Sequence, residues 1–242
     1  MCCNRRMRSY LAPGLLVAAL CLSGCTGKHA PPAPPPPPIS IVGSDDGRLE
    51  ESLFKGDQAV LSNQDIERIL AARITLADRH RLAVLRLNQW NVWYRDVADI
   101  ETQNSQQFLR ALSAIPQFTQ VRPIPALLVP EKRTIPYLRE AAARFQADLL
   151  LIYGAHAQVF QRDRLIGTDE VMADCSVQAV LLDVRTGIVL HASEAAETIS
   201  AKKSPGDLNF AQTVARTEAA ATGKALLKVA GSVVDFVRAS EK

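Results

Sequence analysis

The chain lacks any apolar run long enough to cross a bilayer as a helix. Its N-terminal stretch Leu11–Leu22 is about 12 residues against the roughly 20 required, which argues against a retained transmembrane anchor. It also lacks a His-Glu-x-x-His helix, a glycine-rich phosphate loop and a nucleophile elbow, so the usual sequence signs of hydrolase and nucleotide chemistry are missing. An excess of one charge is missing too. The net charge is +3, but Arg5, Arg6 and Arg8 stand in a 24-residue leader without acids. Without them the 28 bases become 25, against 25 acids. A neutral mature chain carries no overall footprint for nucleic acid or for an anionic membrane surface.

What is present begins with that leader. Three arginines, a short apolar stretch and the small residues Ser23-Gly24 before Cys25 make a secretory signal. Leu22-Ser23-Gly24-Cys25 resembles the lipobox of bacterial lipoproteins. The resemblance implies cleavage before Cys25 and acylation of its thiol and new amino terminus. A plain secretory signal with a coincidental cysteine is the weaker alternative. Met1 and Met7 both serve as possible starts, since Met7-Arg8 and the apolar run already form a complete signal. Thr26, in place of aspartate after the cysteine, favours the outer membrane by resemblance to enterobacterial sorting. Cys2, Cys3 and Cys21 leave with residues 1–24 and Cys25 is acylated, so Cys175 stands alone and no intramolecular disulfide is expected.

Residues 25–48 carry the lipidated cysteine, the tract Pro31–Pro38 and Gly43-Ser44-Asp45-Asp46-Gly47, and read as an extended, disordered tether. At ~3.1 Å per residue it lifts the rest of the chain by at most ~70 Å. Residues 49–242 suffice for one periplasmic domain with its own core. Ser62 caps a helix with Ile66, Ile69, Leu70 and Ile74 at helical spacing. Leu82–Leu87 is a strand, 102–114 a helix stopped by Pro116, and Phe118–Arg122 a short strand. Thr134-Ile135-Pro136 opens a third helix with a capping hydroxyl, its stripe Ile135, Leu138, Ala142 and Phe145. Leu149–Ile152 reads as a central strand covered on both sides. Val171–Asp183 alternates cleanly and turns through Asp183–Gly187 into a partner strand, Ile188–Ile199. A long alanine-rich helix, about 208–238, ends the chain, with Gly223 and Gly231 weakening it locally. The expected fold is α/β: a single domain, an open mixed sheet of about five strands, helices mainly on one face, and a long C-terminal helix.

The joint Arg144–Gly154 and the hairpin Leu181–Val189, with the element order from about 80 to 238, resemble the curli-secretion-lipoprotein superfamily. That superfamily includes the curli secretion channel subunit, an exopolysaccharide-export lipoprotein and the lipoprotein activator of a peptidoglycan synthase. Its fold resembles the amino-terminal domain of the Tol-system propeller protein. The chain departs from the channel pattern, because no extra pair of alternating, lipid-facing strands accompanies the short turn Gln161–Glu170. Pore formation is therefore not implied. The tether is also short for the activator's crossing.

Four polar residues, His156, Asp174, Ser176 and His191, are candidates for one polar sheet face, as a His/Asp/Ser set or a two-histidine metal site. The competing reading is an ordinary solvated face. Cys175 alternates with Ala173 and Val177 and reads as core. Trp90, Trp93 and Tyr94 sit close together among polar residues, either capping the core or forming a partner patch. The expected function is non-enzymatic: a lipid-anchored protein, its domain in the periplasm, that binds an envelope protein or itself in assembly or regulation. It needs no cofactor or metal and contacts the membrane through its N-terminal lipid only. The alternatives are an oligomeric subunit of an export or surface-structure complex, and a small envelope enzyme using the polar sheet face.

Overall fold

Five strands form one sheet, in the order β2-β1-β3-β4-β5: β1 (His80–Arg86), β2 (Phe118–Pro123), β3 (Leu149–Arg162), β4 (Glu170–Asp183) and β5 (Val189–Lys202). The computed structural model describes Leu53, Leu76 and residues 62–72, 79–88, 94–162 and 170–240. Cys25, the tether, Trp90 and Trp93 lie outside these. β1 runs parallel to β2 and to β3, while β3–β4 and β4–β5 are antiparallel hairpins. The expected α/β class, mixed open sheet and long last helix are all present.

The parallel strands demand helical crossovers. Between β1 and β2 runs α2 (Arg95–Ser113), and between β2 and β3 runs α3 (Ile135–Arg144). The two crossovers step in opposite directions across the sheet, so connections of one hand place their helices on opposite faces. Phe108 and Leu112 of α2 pack with Leu82, Val84, Leu149 and Leu151. Ile135, Leu138 and Ala142 of α3 pack on the other face with Ala83, Leu85, Leu150 and Ile152. Leu149–Ile152 is thus covered on both sides, each side chain at 2% exposure or less. Each such burial stabilises by roughly 1.5–3 kcal/mol, which makes β3 the spine of the sheet. The 30-residue α4 (Phe210–Ala239) lies beside α2, with Ala221, Ala225, Val229 and Val233 fully buried.

Three local expectations change. The helix α2 begins seven residues before the expected 102, because the chain turns directly after Tyr94, whose hydroxyl donates to Asn209 Oδ1 at 3.0 Å. Thr134 precedes α3 but makes no side-chain cap, and its Oγ1 is buried without a partner. The physical reason is Pro136, which removes one of the N–H groups that such a hydroxyl reaches. The first helix, α1 (Asn63–Ala71), is capped by Ser62 Oγ as expected, accepting from Asp65 N at 3.1 Å. Its apolar residues Ile66, Ile69 and Leu70 are nevertheless exposed. Ile74 lies outside the described residues.

One charged cluster is enclosed between the sheet and the α2–α4 layer. Arg86, at the end of β1, pairs with Glu101 of α2 at 2.7 Å. Burial, followed by the Glu101 charge, pushes the Glu218 carboxyl on α4 up from its ordinary value. Among the described residues no helix is long and apolar enough to cross a membrane.

Candidate binding surface

The parallel pairing of β3 with β1 ends at Tyr153, yet β3 continues to Arg162. Asn88 closes the junction. Its Oδ1 accepts from Ala155 N at 3.2 Å and its Nδ2 donates to Ala155 O, an extra rung beyond the last paired residue. From there β3, β4 and β5 project as a three-stranded ribbon. Period-two alternation sorts its side chains into two faces. Val171, Ala173, Cys175 and Val177 turn toward α4 and are fully buried.

The opposite face carries rows set by the strand register. Gly154, Gln178 and Glu194 form one row; His156, Ser176 and Ala196 the next; Gln158, Asp174 and Thr198 a third; Phe160, Met172 and Ser200 a fourth. Ser176 Oγ donates to Glu194 Oε1 at 2.8 Å, and Thr198 Oγ1 to Asp174 Oδ1 at 3.1 Å. At the sheet end of this face lies a groove of about 480 Å³ lined by Leu53, Leu87, Gly154, His156, Ser176 and Glu194. At its far end Phe160 and Met172 face each other across the strands, 54% and 39% exposed. Sequence reasoning missed this pair, although Phe160 shares the parity of His156 and Gln158 and interrupts an otherwise polar alternation.

The structure brings three of the four polar candidates together and removes the fourth. His156, Ser176 and Asp174 share the outer face. His191 does not, because it pairs with Leu181 of the buried row. Its Nε2 lies 2.9 Å from Ser232 Oγ and its ring stacks on Phe236, with centroids 4.8 Å apart. Burial pushes its pKa down. The reason for the correction is an irregularity between Leu181 and Leu182: Leu182 pairs with Val189 and Leu181 with His191, so Leu190 is an extra residue. One extra residue moves every later side chain to the other face. The four-residue set is therefore not one site, and among the described residues no three His, Cys, Asp or Glu side chains are grouped to hold a metal.

Cys175 is fully buried, with Sγ 3.1 Å from Thr222 Oγ1. Burial pushes its thiol up, the opposite of what a nucleophilic thiolate needs. Tyr94 is half-buried and links the starts of α2 and α4 through Asn209, whose Oδ1 also accepts from Gln212 N at 2.9 Å.

The outer edge of the sheet is guarded. Lys228 of α4 pairs with Glu197 at 2.6 Å and donates to Ala196 O at 3.3 Å. A lysine over an edge strand is a common device against strand addition.

No family model and no curated protein matches the chain. Among solved structures it is similar to a PelC dodecamer from Paraburkholderia phytofirmans, at 20% identity over 64% of this chain and 92% of that one, TM-score 0.33. It is also similar to a minor lipoprotein from Acinetobacter baumannii, at 11% identity over 64% and 92%, TM-score 0.31. A lipoprotein from Neisseria meningitidis gives 13% identity over 63% and 99%, TM-score 0.32.

Proposed function

We propose that this chain is a non-enzymatic protein of the bacterial envelope, anchored by a lipid on Cys25 to the outer membrane, whose periplasmic domain (49–242) binds another envelope protein. The observation that carries the reading is the ribbon face. It extends past the parallel part of the sheet and joins an exposed Phe160–Met172 pair to the acids Asp174 and Glu194. A partner that fits presents an apolar centre and a basic rim, as complementary interfaces do. Trp90, Trp93 and Tyr94 are further candidates for partner contact on the sequence alone. Membership of the curli-secretion-lipoprotein superfamily belongs to the same proposal and rests on the joint Arg144–Gly154 and the hairpin Leu181–Val189. A self-associating export subunit is the second reading, and Lys228 over the β5 edge speaks against pairing by that edge.

The test places a photo-crosslinking residue at Phe160 or Met172 of the full-length chain in native membranes, with Leu127, 98% exposed on the turn Ala126–Leu128, as the control. One envelope protein is expected from positions 160 and 172 and none from 127. Crosslinks only between copies of the chain would favour the export-subunit reading, and identical products from all three positions would refute the binding face. Cys25→Ala should move the chain out of the membrane fraction; retention there would refute the anchor.

A further inference from the structure

At the opposite end of β3 and β4 from Phe160 and Met172, a cleft of about 590 Å³ opens where β1 starts, α3 ends and β4 turns into β5. Its basic side chains come from two separate segments, Arg79-His80-Arg81 and Arg185. The small net charge of the chain, +3, hides this local concentration.

The acids of the cleft are already engaged. Asp148 receives Arg81 in a fork, Nε to Oδ2 at 3.0 Å and Nη2 to Oδ1 at 2.9 Å, with Arg81 N as a third donor at 2.9 Å. Asp183 Oδ2 accepts from Thr186 N and Thr186 Oγ1, both at 2.6 Å, and so holds the β4–β5 turn. Arg139 comes in behind that turn, outside the lining, and donates to Val184 O at 3.0 Å and Arg185 O at 2.8 Å, which steadies the position of Arg185. Arg79 and Arg185 are exposed and form no ion pair among the described residues. His80 Nε2 is buried without a hydrogen-bond partner. The rim thus holds two guanidinium forks and an imidazole nitrogen without partners, on a floor fixed by the Arg81–Asp148 pair.

We infer that this cleft binds a phosphate group. A phosphate carries close to two negative charges near neutral pH, roughly −1.5 to −2, and offers several acceptor oxygens to forked donors. A single carboxylate would leave one of the two unpaired arginines unanswered. The cleft volume also leaves room for the group that bears the phosphate. That bearer is either a lipid headgroup ending in a phosphate monoester or a soluble phosphate monoester, and both meet the same side chains.

Calorimetric titration of the full-length chain in nonionic detergent tests the site with two probes: inorganic phosphate, and a short-chain phosphatidic acid, whose headgroup is a phosphate monoester, below its micelle concentration. Saturable binding is expected, with affinity falling about tenfold for each arginine removed in Arg79→Gln and Arg185→Gln. Arg95→Gln, an exposed arginine at the start of α2, which follows the far end of β1 and does not line the cleft, should leave binding unchanged. Tighter binding of the lipid assigns the site to a headgroup; equal or tighter binding of phosphate assigns it to a soluble compound. Absence of saturable binding by both probes, or unchanged binding in the double variant, overturns the proposal. Should the double variant melt early, Arg185→Gln alone, on an exposed turn position, carries the same test.

Discussion

The side chain of Asn104 on α2 occupies the space that a Cβ on Gly223 of α4 would fill. Its Nδ2 donates to Ala219 O one turn earlier, at 2.7 Å, so the two helices are both close and tied at this level. Gly223→Ala must displace Asn104 and break that bond, and is expected to cost about 1–3 kcal/mol in chemical denaturation. Gly231 stands in the same helix with nothing near its missing side chain. Gly231→Ala should therefore stabilise by about 0.5–1 kcal/mol. Equal effects of the two substitutions would refute the close approach.

The Glu218 carboxyl is raised in the folded chain, first by burial and then by Glu101. The unfolded chain then releases this proton first as pH rises from the ordinary carboxyl value. Stability from this group is complete below that value and is lost as pH climbs through the raised folded one. Glu218→Gln removes the loss. Thermal melts from pH 4 to 8 should show the variant gaining on the parent chain toward neutral pH, with little difference at the acid end.

His191 gives the opposite slope. Burial between Ser232 and Phe236 depresses its pKa from an ordinary 6.5, so the unfolded chain takes up the proton first as pH falls. Its contribution is intact above that value and lost on acidification through the depressed one. His191→Phe keeps an aromatic ring beside Phe236 and should flatten the melting profile between pH 7 and 5. An unchanged profile would place the ring in solvent.

Gly187 ends the β4–β5 turn with a φ of 79°, and a Cβ there would meet the Arg139 guanidinium. Gly187→Ala combines left-handed backbone strain with the displacement of an arginine that holds two turn carbonyls. The expected cost is about 1–3 kcal/mol. Where the cleft binds phosphate, the same substitution should weaken that binding.

The order of elements is legible in the chain because each crossover helix and each hairpin carries its own signal. The run Leu149–Ile152 marks a strand buried on both faces, and the alternation Val171–Leu181 marks one buried on a single face. The face of β5 is not legible. Apart from Ile199, its residues from Ala192 to Ala201 are small or polar on both sides, so too little in the pattern registers the extra residue at Leu190. The start of α2 is similarly masked, since Arg95–Glu101 buries only Val97. The arginine cleft joins residues 79–81, 146–148 and 183–185, which come together only once the sheet order is known.

β3 runs without interruption from Leu149, beside the arginine cleft, to Arg162, past the exposed Phe160. Fourteen extended residues span about 46 Å. Its first four are clamped between two helical layers, whereas its last part pairs, among the described residues, with β4 only. A load applied at Phe160 runs along one continuous backbone into the buried run Leu149–Ile152, where Asp148 holds Arg81 one residue before the strand begins. Tension on a bound partner and occupancy of the cleft would meet on the same strand.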